Sequence, residues 1–237
     1  MEFKSFIPKY VNNRVVLFFY DLLGKATNWI TQNQIRENAH KNLKTLADDK
    51  YIYIERKQYI ENQQELENIR FGTGKRSNMQ YSGCGIIAAY NALVYLQQTT
   101  GVKCLVNLIS EFEARGAVMN GNLGISPYAI ASYFVRQGFC VKMFTSKDRQ
   151  KTDEFGECNK VIIVTVYNDK NDITQKLHTV CITCEHKIPE NYAIHNAYCY
   201  DEEKKVYTSK NRNYITLSDA ITDIRGNSAH ICIIGIS

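Results

Sequence analysis

The sequence predicts an α+β protein, helical in its first half and built on an antiparallel sheet in its second. Apolar residues recur at near-helical intervals from Phe6 to Ile30 and, more weakly, through residues 31–47. From Phe139 onward the period changes, and runs rich in Val, Ile, Tyr and Thr follow one another. Helices first and strands later, without regular alternation, indicate α+β rather than a doubly wound sheet. At 237 residues the chain is long enough to bury a sizeable core.

Taken in order, Phe6–Ile30 and residues 31–47 predict a packed helical hairpin, with an interfacial amphipathic helix as the alternative. The apolar run from Val15 to Leu23 contains Asp21 and is too short to span a bilayer. Tyr51-Ile52-Tyr53-Ile54 is a short strand or helix, and Phe71-Gly72-Thr73-Gly74-Lys75-Arg76-Ser77 is a flexible linker. Residues 1–74 thus form a helical N-terminal appendage with its linker, and residues 75–237 the main domain. Because the appendage carries Val15, Leu17, Phe18, Phe19, Leu22, Leu23, Trp29 and Ile30, it is expected to bury them on the main domain of the same chain, with a second copy of the chain as the alternative.

In the main domain, residues 84–98 and 105–117 predict helices, and Asn120-Gly121-Asn122-Leu123-Gly124 a loop. Ser126 as N-cap and Pro127 as first helical residue open a helix that stops at Gly138. Strands are expected at 139–144, 160–167, 177–185, 192–200, 205–208 and 230–236, with one helix at 217–224 capped by Thr216 or Ser218.

Composition narrows the function. The net charge of +5 is mild and its basic residues are scattered, without a stripe interleaved with aromatics, so no nucleic-acid partner is expected. Several of the eight cysteines lie inside apolar strand-like runs, and Met1 is not followed by a secretory pattern. Both point to a reducing, cytoplasmic compartment. Cys181-x-x-Cys184-x-His186 has zinc-like spacing, but residues three apart on a strand face opposite sides, so neither metal nor cofactor is expected. Cys104, Cys140, Cys158, Cys199 and Cys232 are read as core or part-buried thiols.

Cys84 is different. It stands where the polar loop Asn78-Met79-Gln80-Tyr81-Ser82-Gly83 runs into a helix, and unpaired N–H groups there, with the positive end of the helix dipole, favour thiolate over thiol. Gly83 and Gly85 would let a substrate backbone come close, and Tyr81 would line the cleft. His178 opens one strand and Asn196 lies in the next, so neighbouring antiparallel strands can set them opposite each other, with the Asn amide oxygen holding the imidazole and the ring facing Cys84. His195, adjacent to Asn196, points to the other face and is read as a structural histidine.

Cys-Gly at a helix mouth, then His178-Thr179-Val180 opening a strand, then Asn196, resembles the papain-like cysteine peptidases, and most of all the short bacterial branch that includes the double-glycine leader peptidases. The segment Gly124–Gly138 is similar to the middle helix of that branch, and the resemblance covers residues 75–237. It implies Cys84 as nucleophile, His178 as base and Asn196 as orienting residue, where the branch more often has Asp. The family's oxyanion glutamine falls at Asn78, while the nearby glutamine is Gln80; either could assist the Cys84 N–H. The implied activity is that of a cysteine peptidase on a peptide or amide substrate. An acyl- or aminoacyltransferase with the same triad, or a non-catalytic peptide-binding module, are the alternatives.

Overall fold

The structure, a computed structural model, describes residues 12–74, 77–167, 177–184, 192–201, 206–209, 213–225 and 230–237. The expected helical start before residue 12, the Lys75-Arg76 pair and His186 lie outside these residues.

The helical half opens with α1 (Asn13–Thr27), capped by the Asn12 side chain, and α2 (Gln32–Leu46), entered through a reciprocal capping box between Thr31 and Gln34. Residues 51–54 resolve as helix, in α3 (Ile52–Glu55). Then come α4 (Met79–Ser82), α5 (Cys84–Tyr95), α6 (Val102–Arg115) and α7 (Pro127–Arg136). Ser126 and Pro127 start α7 as expected, but the Ser126 hydroxyl donates to Asp21 Oδ1 (2.9 Å) instead of capping its own helix.

The sheet half comprises β1 (Val141–Phe144), α8 (Arg149–Glu157), β2 (Val161–Tyr167), β3 (Leu177–Cys184), β4 (Tyr192–His195), β5 (Tyr198–Asp201), β6 (Val206–Ser209), β7 (Asn213–Tyr214), α9 (Leu217–Arg225) and β8 (His230–Ile236). Six of these strands make one antiparallel sheet in the order β1-β8-β2-β3-β4-β7, and β5 pairs with β6 apart from it. The chain is therefore α+β, as its pattern predicts. Thr216 is the residue that caps α9, accepting from Asp219 N.

Two differences have local causes. Helix α8 was not expected, because its sequence is mostly polar; it forms under the Asp148 cap and buries only Thr152 and Gly156. The single strand expected at 192–200 is broken, because Asn196 takes a left-handed conformation (φ 63°) that ends β4 and turns the chain into β5.

Both faces of the sheet are covered. Val161, Ile163, Cys181, Cys232 and Ile234 pack under the helical half, in a core shared with Ile86 and Ile87 of α5. That core continues through Leu17, Leu46, Ile54, Ile60, Leu66 and Phe71, so the N-terminal segment packs within the chain. On the opposite face Ile162, Val164, Val180, Ile182 and Ile194 meet Leu217, Ile221 and Ile224 of α9. The expected burial holds for Leu17 and in part for Ile30 but fails for the rest: Val15, Phe18, Phe19, Leu22, Leu23 and Trp29 are exposed, and Asn13 and Gly24 are buried in their place. Among the described residues, no helix is long and apolar enough to cross a membrane.

Candidate active site

Cys84 sits half-buried at the first position of α5. The approach is fixed by Asn78, whose side-chain oxygen accepts from Tyr81 N (2.9 Å) and caps α4. Gly83 and Gly85 are buried and closely packed, which suits a sharp turn into the helix. A Cβ on Gly83 would fall 2.5 Å from the Met79 carbonyl oxygen, and one on Gly85 would fall 2.6 Å from Ile125 Cγ1. Tyr81, beside the turn, is exposed.

Helix α5 lies on β3 and, at its far end, Tyr95 donates its hydroxyl to the carbonyl of Cys184, the last residue of the strand. The helix mouth is thereby directed toward the end of β3 that carries His178, although α5 covers the Cys181 face of the strand and His178 stands on the opposite face with Val180 and Ile182. His178 is buried, and its Nε2 lies 3.1 Å from the main-chain oxygen of Asn196. The two expected partners meet, but through the carbonyl rather than the amide of Asn196.

The amide is used elsewhere. Asn196 Oδ1 accepts from Gln63 N (3.0 Å) and its Nδ2 donates to Gln63 Oε1 (3.2 Å), while Gln63 Nε2 donates to the carbonyl of Gln80 (2.6 Å). Glu61 Oε2 accepts from Asn196 N (3.2 Å). A continuous path thus runs from the loop before Cys84, through Gln63 and Asn196, to the imidazole of His178. It fixes Asn196 in the left-handed region, which Asn tolerates better than most non-glycine residues. Of the two candidate oxyanion amides, Gln80 donates from Nε2 to Gln64 Oε1 (2.8 Å), and Asn78 caps through Oδ1, so only its Nδ2 can act as a donor.

His195 is hydrogen-bonded at both ring nitrogens, as expected, but its register opposite Cys181 puts it on the face of the sheet that α5 covers, not on the far side from the helical half. Its Nδ1 pairs with Glu61 Oε1 (2.7 Å), its Nε2 with Thr183 Oγ1 (3.0 Å), and Tyr59 stacks on the ring at 3.9 Å. Glu61 therefore ties this histidine to the main chain of Asn196, one residue on.

Tyr59, Glu61 and Gln63 were missed by sequence reasoning because they precede the region that carries the cysteine motif. Tyr20 was missed too. From α1 it donates to the carbonyl of Leu123, in the loop beside Cys84, and its phenol is held well above its ordinary range by burial and then by the nearness of Cys84. Gly124 closes the same corner, since a Cβ there would lie 3.2 Å from the Ser82 carbonyl oxygen.

Burial pushes Cys181 and Cys104 up and Cys232 to about 12, leaving them protonated near neutrality. Cys181 and Cys184 lie in the separate cores on the two faces of β3. Cys140 and Cys158 are exposed, against the expectation of part-buried thiols, and the Cys199 side chain is outside the described set. No protein-family model, curated protein or solved structure matches the chain.

Proposed function

We propose that the chain is a papain-like cysteine peptidase in which Cys84 attacks a peptide or amide carbonyl. The observation that carries this is the hydrogen-bond path that joins the Cys84 loop to His178 through Gln63 and Asn196. With Nε2 of His178 held by a carbonyl, Nδ1 is the atom that takes the Cys84 proton. The thiolate forms a C–S bond, and the carbonyl oxygen becomes an oxyanion facing the Cys84 N–H and one of the amides of Asn78 and Gln80. His178 returns the proton to the leaving nitrogen as the C–N bond breaks. Water, deprotonated by His178, then attacks the thioester and regenerates the thiol.

Strand alternation groups His178 with Val180 and Ile182, so catalysis requires its ring to reach round the start of β3 to Cys84. A peptidyl acyloxymethyl ketone, which alkylates paired catalytic thiols, should label Cys84 stoichiometrically in the full chain and should not label Cys84→Ala at a new site. Labelling confined to the exposed Cys140 and Cys158 would contradict the assignment.

A further inference from the structure

Helix α1 is inserted in the fold with its polar stripe inward. Asn13 Nδ2 donates to the carbonyl oxygens of His230 (3.2 Å) and Thr145 (3.4 Å), Tyr20 donates to Leu123, and Asp21 accepts from Ser126. Gly24 sits against Val118. Bonds from Met119 N to Thr27 Oγ1 (2.9 Å) and from Trp29 N to Asn120 Oδ1 (2.7 Å) fix the C-terminal end. The helix is therefore docked in a defined orientation, and that orientation leaves Val15 at 44%, Phe18 at 60%, Phe19 at 62% and Leu22 at 50% exposure. Trp29, just beyond the helix, is 74% exposed. Successive spacings of three and four put these side chains on one stripe.

The border of this stripe is cationic. Arg14 and Lys25 project from α1 itself, and a groove of about 640 Å³ alongside Phe18 is lined by Lys25, Arg115 and Arg136. The acids facing it are Asp21, which is turned inward to Ser126 and paired with Lys25 (2.7 Å), and Glu111, which is shared by Arg136 (2.6 Å) and Arg115 (3.7 Å). Four cations thus stand against two carboxylates, and three of the four are paired with them, which leaves this border with a modest positive excess. An anionic lipid surface matches both the stripe and its border. Exposed Phe and Trp beside Arg and Lys are the side chains that seat an amphipathic helix at the headgroup boundary.

We infer that α1 docks the protein on an anionic membrane surface, lying in the interface with Val15, Phe18, Phe19 and Leu22 toward the acyl chains. The inference is independent of the chemistry at Cys84. It predicts a peripheral association that weakens with salt, because the cationic border acts through a screened field.

Trp29, the sole tryptophan, reports directly on it. The full chain, mixed with vesicles of phosphatidylcholine and phosphatidylserine, should float with them on a density gradient and show a blue-shifted tryptophan emission. Phosphatidylcholine alone should bind more weakly. Phe18→Ser with Phe19→Ser, which alters only exposed side chains, should lower vesicle affinity by about tenfold or more while leaving the circular dichroism and melting temperature unchanged. Absence of flotation and of the emission shift with mixed vesicles would overturn the inference. So would binding that survives the double substitution, or a concentration-dependent dimer that this substitution dissociates, which would assign the stripe to a second copy of the chain.

Discussion

Two helices of this molecule are rich in apolar residues and are used in opposite ways. In α5 every residue from Gly85 to Leu93 is buried, because small Gly85, Ala88, Ala89 and Ala92 let neighbours close in around Ile86, Ile87 and Tyr90. In α1 the larger side chains look outward and the docking is done by Asn13, Tyr20, Asp21 and Gly24. Apolar content alone therefore does not say which face of a helix is inside. Polar side chains with defined partners decided the orientation of α1, whereas close packing decided that of α5.

The comparison is broken most sharply by one substitution made in both helices. Ile87→Asp places an uncompensated charge in the core and should cost about 3–5 kcal/mol, enough to threaten folding. Phe19→Asp, at a site 62% exposed, should change stability by less than about 0.5 kcal/mol. Urea titration of the two variants checks both, and equal losses would show that the exposed stripe of α1 is part of the core.

A smaller effect concerns the path to His178. Gln63→Ala removes the bond from Asn196 Nδ2 to Gln63 Oε1 and the bond from Gln63 Nε2 to Gln80, leaving the main-chain bond from Gln63 N to Asn196 Oδ1, and so loosens the hold on Asn196. On the proposed function it should lower kcat by about 10- to 100-fold through misplacement of His178, with KM little changed. An unaltered kcat would detach Gln63 from the site.

The smallest effect is a pH dependence. Glu113 of α6, bonded to Gly72 N (2.7 Å) and Asn38 Nδ2 (2.6 Å), joins the helical half to the N-terminal segment, and burial pushes its carboxyl up from 4.5 to about 7 despite those two bonds. Between these values the folded state keeps the proton and the unfolded chain loses it, so stability falls as pH rises through that window and is level above it. Glu113→Gln keeps an acceptor for Gly72 N and should flatten this fall, gaining on the order of 1–2 kcal/mol at neutral pH. A slope of stability against pH equal to wild type would refute the assignment.

Much of this was legible in the sequence because the signals are local. Capping residues located α7 and α9, the change of period located the sheet, and the loop-to-helix junction singled out Cys84. What was not legible depends on contacts between distant residues. Asn196 could be paired with His178 from strand order, but not the use of its carbonyl, which follows from a backbone conformation imposed by Glu61 and Gln63. Tyr20 was hidden because the period of α1 defines two faces without saying which is buried. The polar stripe at Asn13, Tyr20, Asp21 and Gly24 was the available sign.

The central claim, a Cys84 thiolate paired with His178, is tested most directly by the pH dependence of iodoacetamide alkylation at each cysteine, followed by mass spectrometry. Cys84 should stay reactive to lower pH than the exposed controls Cys140 and Cys158, and His178→Ala should abolish that difference. A Cys84 profile that coincides with those controls in the wild type, or that is unchanged by His178→Ala, would contradict the account.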